Sequence, residues 1–185
     1  MMIVPARINR DLPQIVQIAY KHYFTGSQNR PSGFYNYRPP EEQLIRYLES
    51  NPYCLVARGD RDNLEECFGF LLAGDDRRVE GIHSWRPSSV SEAILNFPRP
   101  FVYCDMLATK NPGSFVSGKA SRKLLASLRR ISASRNVPLL LGVTAFSPWR
   151  NLSSERVISH LGGNSSGTIE TLADGTFKIW EIREG

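Results

Sequence analysis

The sequence predicts an α/β fold in which one mixed, mostly antiparallel sheet of about seven strands carries helices on both faces. Three observations support this prediction. Strand-like and helix-like apolar runs alternate along most of the 185 residues. The run Leu139 to Ala145 is apolar on both faces, which is typical of a central, covered strand. The chain ends in a hairpin pattern, in which Thr168 to Leu172 and Thr176 to Ile182 flank the turn Ala173-Asp174-Gly175.

The first part of the chain predicts a strand, two helices and a strand pair. The strand covers Ile3 to Ile8, and a helix starts at Asp11-Leu12-Pro13, where an acidic cap precedes an early proline. After a loop from Thr25 to Pro40, a second helix starts at Glu41. Tyr53 to Arg58 and Cys67 to Ala73 then form two strands, and their turn-rich connection predicts an antiparallel pair.

The second part of the chain predicts two long strands, each followed by a helix. A segment from about 77 to 100 precedes them as an insert, with a short helix at Ser89 to Leu95. The strand Phe101 to Thr109 leads into a helix that reaches about Arg135, and Pro138 opens the covered strand. The next helix begins at Ser153 or Ser154 and stops at Gly162-Gly163.

The composition limits the class of protein. A chain of this length that is 41% hydrophobic builds one domain with a full core. The net charge of +5 suits an anionic ligand or an acidic partner, but no Lys/Arg block names one. The spacing of Cys54, Cys67 and Cys104 predicts buried thiols, with neither a disulfide framework nor a metal site. No signal-like start and no long apolar run occur, so we expect a cytosolic protein with no membrane partner.

The most informative pattern is the small-residue turn between the strand Phe101 to Thr109 and the following helix. Pro112-Gly113 and Ser117-Gly118 lie in this turn, and Ala120, Leu124 and Leu125 then recur at helical spacing. The first N–H groups of a helix are unpaired, and with the peptide dipoles they suit an anion such as a pyrophosphate. An ordinary Pro-Gly turn before a helix explains the same residues, so this pattern alone leaves both interpretations open.

The order of elements and this turn together resemble the GNAT N-acetyltransferase superfamily over nearly the whole chain. In that family a proline precedes the loop pattern Arg/Gln-x-x-Gly-x-Gly/Ala, and paired leucines follow. Pro112, Phe115-Val116-Ser117-Gly118-Lys119-Ala120 and Leu124-Leu125 have the same register, with Phe115 at the Arg/Gln place. The resemblance implies a V-shaped gap between the fourth and fifth strands.

A second family segment has an Asn after the fifth strand, a Tyr seven residues later and a closing Leu-Gly-Phe. Asn151 and Leu161-Gly162 match it, whereas Ile158 replaces the Tyr and Gly163 replaces the Phe. That Tyr is the family's frequent general acid for the leaving thiolate. This chain must therefore protonate the thiolate otherwise, use water, or react slowly.

The resemblance implies binding of acetyl-CoA or another acyl-CoA. Pantetheine would lie in the gap, and backbone groups of the fourth strand would hold it and polarise the thioester carbonyl. The implied cofactor-binding residues are Leu107, Ala108, Thr109, Phe115, Val116, Ser117, Gly118, Lys119, Ala120, Ser121 and Asn151.

The resemblance implies a base on the substrate side of the strand Phe101 to Thr109, where a carboxylate must be partly desolvated to have a useful pKa. Asp105 lies near the place where some relatives keep a catalytic Glu, and it is the first candidate for the base. Tyr103 is a second candidate for an acid or base, and His83 and His160 are further ones. A hydrogen bond to a neighbouring loop would equally explain Asp105.

Acceptor recognition is expected in the two regions that depart from a minimal fold. Tyr35, Tyr37 and Arg38 lie in the loop before the second helix, and Trp85 lies in the insert. Aromatic and arginine side chains together can bind a planar or acidic acceptor, although a lid or a dimer contact would use the same residues.

The sequence thus predicts an N-acyltransferase that acts on a small-molecule or peptide amine by direct attack on the thioester. One alternative is a catalytically impaired GNAT-like module that binds CoA or regulates a partner, since Phe115 and Ile158 depart from the family. Another is acetylation of an amine linked to nucleic acid, such as aminoacyl-tRNA, which the positive charge suggests. We expect a monomer or a homodimer.

Overall fold

A seven-stranded sheet organises the described part of the chain. The computed structural model describes residues 1–21, 40–59, 65–81, 88–137, 139–147, 150–171 and 175–183. The strands are β1 (Met2–Pro5), β2 (Leu55–Arg58), β3 (Cys67–Asp75), β4 (Phe101–Thr109), β5 (Leu139–Ser147), β6 (Asn164–Thr171) and β7 (Gly175–Arg183). The helices are α1 (Ile8–Lys21), α2 (Glu41–Leu48), α3 (Asp76–Gly81), α4 (Ser88–Leu95), α5 (Phe115–Ser134) and α6 (Leu152–His160).

The strand order across the sheet is β1-β2-β3-β4-β5-β7-β6. Every neighbouring pair is antiparallel except β4 and β5, which are parallel. This confirms the mixed, mostly antiparallel sheet that the sequence predicts. The parallel pair requires a crossover, and α5 supplies it.

Helices cover both faces of the sheet, as predicted. On one face, α1 and α2 pack on the β1–β4 side around Ile15, Leu44 and Phe70. On the same face, α3 and α4 pack over β4, β5, β7 and β6 around Val79, Val90 and Ile94. The opposite face carries α5 and α6. The two helices of the insert, α3 and α4, therefore cover the half of this sheet face that α1 and α2 leave open.

Several elements differ from the sequence prediction. Strand β1 ends at Pro5 and not at Ile8, and β6 begins at Asn164 and not at Thr168. The helix α3 was not predicted, because Val79 is the one apolar side chain among its six residues and a single position shows no periodicity. The helix α1 begins at Ile8, so Asp11 is not its cap and Pro13 lies inside it. The Asp11 carboxylate does accept the Arg7 N–H, at 2.6 Å, but it lies within the first turn.

Asp11 points inward because it pairs with a buried arginine. Its carboxylate forms a salt bridge with the Arg58 guanidinium from β2, and both side chains are almost completely buried. Arg10 donates two further hydrogen bonds to it, at 2.9 and 3.0 Å. The pair thus ties the first turn of α1 to the sheet.

No helix of the described residues is long and apolar enough to cross a membrane.

Candidate functional site

The parallel strands β4 and β5 separate part-way along their length. Their pairs run from Phe101 with Leu139 to Cys104 with Gly142. Beyond that point β4 continues to Thr109 and β5 continues to Ser147, without further pairing between them. A V-shaped gap therefore opens between the fourth and fifth strands, as the sequence resemblance implies.

A β-bulge in β4 lies at the apex of this gap. On β3, Leu72 pairs with Met106 and Ala73 pairs with Cys104, so Asp105 is an extra residue in β4. A bulge increases the local twist and bends the strand. This bend accompanies the separation of β4 from β5, and it places Asp105 at the point of separation.

A cavity of about 90 Å³ occupies the gap. Its walls come from both faces of the sheet: Leu125, Leu128 and Ile158 belong to α5 and α6, whereas Val90 belongs to α4 on the opposite face. The lining is mostly apolar. The polar side chains that line it are Asp105, Thr144, Asn151, Ser154 and Trp180.

The two predicted catalytic side chains have different surroundings. Asp105 is buried and lines the cavity. Tyr103 is also buried, but it lies in the apolar cluster beneath α3 and α4 and does not line the cavity. The geometry therefore supports Asp105 and gives no support to Tyr103. His160 is exposed at the end of α6 and is not part of the cavity wall either.

The predicted pyrophosphate loop forms the first turn of α5. Ser114 is the N-cap, and its side chain accepts the Ser117 N–H. The Gly118 N–H donates to the Ser114 carbonyl at 3.0 Å, so it is already used by the helix. Within the described residues, this leaves the N–H groups of Phe115 and Val116 without a partner. The set of available amides is thus narrower than the sequence predicts, because the helix starts as early as Phe115.

The exposure of the residues in this turn shows how a ligand could approach it. Phe115 is 80% exposed and covers nothing. A Cβ added to Gly118 would meet no atom within 4 Å, so open space lies beside this backbone. Ala120, by contrast, is fully buried against the sheet. Lys119 is exposed and Ser121 is half-buried.

Of the predicted residues on β4, Leu107 lines the cavity. Ala108 and Thr109 are buried and pair with Phe70 and Gly69 of β3. These residues belong to the part of β4 that has left β5. Their backbone groups therefore do not pair with β5, as binding of a ligand in the gap requires.

The first turn of α6 forms the opposite wall. Asn151 is its N-cap, is buried, and accepts the Ser154 N–H at 3.2 Å. Ile158 lies one turn after Ser154 and also lines the cavity. The helix ends at His160, and Gly162 follows its C-cap with a φ of 82°, which suits glycine. A Cβ on Gly163 would lie 2.4 Å from the Ile158 side chain, so no larger residue fits there without a shift.

Cys104 lines the cavity, but its thiol is poorly suited to nucleophilic attack. Burial, together with the neighbouring Asp105 charge, raises the pKa of this thiol to about 12. The thiolate is the reactive form of cysteine, so almost none is present at neutral pH. Cys54, which is fully buried, has a pKa raised to about 12 by burial in the same way.

Comparison with known proteins gives a fold and no closer relative. No family model and no curated protein match the sequence. Solved structures do match. A chain of the NatC complex bound to Gag peptide and CoA has 13% identity and a TM-score of 0.65, with 100% of both chains covered. Ribosomal-protein-alanine N-acetyltransferase from Brucella melitensis has 18% identity, a TM-score of 0.65 and the same coverage. The polyamine N-acetyltransferase of Drosophila melanogaster has 12% identity and a TM-score of 0.61, with 99% of both chains covered.

The chain has the GNAT fold. The sequence resemblance is thereby confirmed at the level of architecture, including the gap. Identities of 8–18% among such structures carry the fold alone.

Several predicted site residues lie outside the described residues of this GNAT fold. These are Tyr35, Tyr37, Arg38, His83 and Trp85. Conversely, the sequence analysis missed Thr144, Ser154 and Trp180, which line the cavity. Alternation along β5 could have placed Thr144 on the face of α6, but only the strand register brings Trp180 beside it.

Proposed function

We propose that this protein is an acyl-CoA-dependent N-acyltransferase that uses acetyl-CoA and an amine acceptor. One observation carries the proposal: β4 and β5 separate after Cys104 and Gly142, and a cavity lined by both strands and by α5 and α6 lies in the gap. The fold of solved N-acetyltransferases supports it, and one of those structures contains CoA. A cytosolic location stays a prediction.

The residues present fit CoA in two places. The mostly apolar gap suits a pantetheine arm, with Leu107 and Leu125 as walls. The start of α5 offers two available N–H groups and open space beside Gly118, which suits a pyrophosphate. Phe115 supplies no charge, so we assign most of the anion binding to the backbone and the helix dipole.

Bound acyl-CoA would supply a thioester whose carbonyl carbon forms a new C–N bond with the amine while its C–S bond breaks. We assign to Asp105 the removal of the proton that the amine loses. Asp105 is a carboxylate, lies at the apex of the gap and lines the cavity. A base in this position contributes about 10²–10⁴ to the rate.

The reaction is proposed as a direct transfer, without an acyl-enzyme. Cys104 is the thiol of the cavity wall, and its raised pKa keeps it protonated. Among the described lining residues, Ser154 and Thr144 have no histidine beside them to activate a hydroxyl.

The test is titration calorimetry with acetyl-CoA and with CoA, followed by thiol release over a panel of amines that includes peptide N-termini and polyamines. Heat with both ligands and thiol release with an amine would support the proposal. No heat and no thermal shift at millimolar ligand would refute it.

A second candidate function is a CoA-binding module with little or no catalysis. Ile158 favours it, because this side chain lines the cavity at the family's Tyr place and cannot donate a proton. Binding of CoA without thiol release from any amine of the panel would select this candidate. An acceptor carried by tRNA stays a prediction, since Arg30 and Arg38, the arginines of the loop from Thr25 to Pro40, lie outside the described residues. Salt-dependent tRNA binding that is lost on reversing both charges would support it.

A further inference from the structure

Thr144 and Trp180 form a buried hydrogen bond in the cavity wall. The Trp180 indole Nε1–H donates to the Thr144 hydroxyl oxygen at 2.9 Å. The two side chains are 3% and 6% exposed, and both line the cavity. They come from neighbouring strands, since β5 pairs with β7, and Gly142 faces Trp180 in that ladder.

This hydrogen bond fixes the direction in which the Thr144 hydroxyl can act. A threonine hydroxyl has one proton to donate and an oxygen that accepts. The Trp180 indole is a donor only, so the Thr144 oxygen accepts its N–H. The Thr144 hydroxyl proton must then be donated to a different acceptor. No acceptor for that proton is found among the described residues. A buried donor without an acceptor is costly, so the proton suits an acceptor on a ligand in the cavity.

The position of Thr144 shows which part of a ligand it would meet. It follows Gly142 by two residues on β5, about 7 Å beyond the last β4–β5 pair. It shares its sheet face with Gly142, and an added Cβ there would lie 3.7 Å from Ile158 Cδ1. Thr144 is therefore close to the apex, and a chain entering from the wide side brings its end group there.

The chemistry of that end group favours a carbonyl oxygen. A neutral thioester sulfur is a weak acceptor, whereas a carbonyl oxygen is a strong one. A donor aimed at this oxygen also gains strength as negative charge develops there during attack. Ile158 lines the cavity without an O–H group, so a hydroxyl donor from β5 gains importance.

The geometry points to Thr144, oriented by Trp180, as a hydrogen-bond donor to the acyl carbonyl oxygen of bound acyl-CoA. The inference rests on the proposed function and deepens it. Trp180 is then a positioning residue that acts through Thr144. The pair would distinguish acyl-CoA, which has this carbonyl, from free CoA, which lacks it.

Calorimetry on the full chain tests the inference without turnover. We expect Thr144→Val to weaken acetyl-CoA binding about tenfold, the value of one neutral hydrogen bond, and to change CoA binding less than about twofold. Thr144→Ser keeps the hydroxyl and should bind both ligands nearly as the wild type does. An equal loss for both ligands, or no loss for either, would overturn the inference.

The role of Trp180 has its own readout. Trp180→Phe keeps an aromatic ring but removes the N–H, so it should lower the preference for acetyl-CoA over CoA about threefold. In a Trp85→Phe, Trp149→Phe background, Trp180 emission should respond more to acetyl-CoA than to CoA. Emission that is identical with the two ligands would contradict the role of Trp180. Wild-type protein that binds neither ligand would instead refute the proposed function, and this inference with it.

Discussion

Cys104 and Gly142 are the last paired residues of the β4–β5 ladder. On one side of this pair the sheet is closed, and on the other side the strands enclose a cavity. Gly142 lines that cavity, and a Cβ added to it would lie 3.7 Å from Ile158 Cδ1, which is ordinary contact. One methyl group therefore fits at the apex, whereas a branched side chain would occupy the space assigned to the ligand.

Substitutions at Gly142 should show how closely the ligand approaches the apex. Gly142→Ala should change acetyl-CoA affinity within about threefold, because an added methyl group makes ordinary contacts. Gly142→Leu should weaken acetyl-CoA binding more than about tenfold, since overpacking costs about 1–3 kcal/mol. Titration calorimetry measures both. The control is Gly167→Leu on β6, where an added Cβ meets nothing within 4 Å. Unchanged affinity in Gly142→Leu would place the ligand elsewhere.

Gly118 should show opposite effects on stability and binding. Gly118→Ala should raise the free energy of unfolding by up to about 0.5–1 kcal/mol, because alanine loses less backbone entropy in a helix. The same methyl group should weaken CoA binding by entering the open space beside the first turn. Gly118→Glu should abolish CoA binding, because its carboxylate repels the pyrophosphate of CoA. Gly167→Glu adds the same charge on β6 and is the matched control.

Phe115 completes this test, because its 80% exposed ring supports no packing. Phe115→Ala should weaken CoA binding only mildly and should leave the melting temperature unchanged. Thermal unfolding and calorimetry on the same samples check both residues. A larger loss of CoA binding in Phe115→Ala than in Gly118→Glu would refute the placement of the pyrophosphate.

Asp105→Asn should slow catalysis without weakening the binding of acetyl-CoA. We expect kcat/KM for the amine to fall about 10²–10⁴-fold at neutral pH, because the amine loses its base. The deficit should shrink as the pH rises toward the pKa of the amine, which then enters already deprotonated. The measurement is a pH–rate profile beside the acetyl-CoA dissociation constant. Tyr103→Phe is the control and should keep near wild-type rates. A deficit that stays constant with pH would assign Asp105 a structural role.

The sequence predicted the features that depend on local apolar periodicity or on the spacing of a motif. Strand β4 was predicted with its observed bounds, because Phe101 to Thr109 is a β-rich run between proline-containing turns. The gap followed from the resemblance that Pro112, Gly118 and the paired leucines carry. The start of α5 was less well predicted, since the Ser114 cap moves the helix start to Phe115.

The features that escaped prediction depend on contacts between distant residues. The bulge at Asp105 exists only in the register of β4 against β3. Trp180 reaches Thr144 across 36 positions of sequence, through the β5–β7 ladder. Asp11 looks like a helix cap in the sequence, yet Arg58, 47 positions later, draws it into the core. Periodicity describes the faces of single elements, and it carries no information on such pairs.

The Asp11–Arg58 pair should make the stability of the fold depend on acid pH. Burial alone would raise the pKa of the Asp11 carboxyl, but hydrogen bonds from Arg10, Arg58 and the Arg7 amide lower this pKa below its ordinary value. The stabilisation is therefore fully present above the unfolded-state pKa of about 3.9 and is lost as the pH falls through the lower folded-state pKa.

Asp11→Asn should lower the free energy of unfolding by about 3–5 kcal/mol near neutral pH, because Arg58 stays buried without its carboxylate. Chemical denaturation at pH 7 and at several acid pH values measures both effects. The double variant Asp11→Leu, Arg58→Met should recover most of the lost stability, and its unfolding free energy should fall less steeply with acid. Asp11→Asn with wild-type stability would show that the pair contributes nothing to the fold.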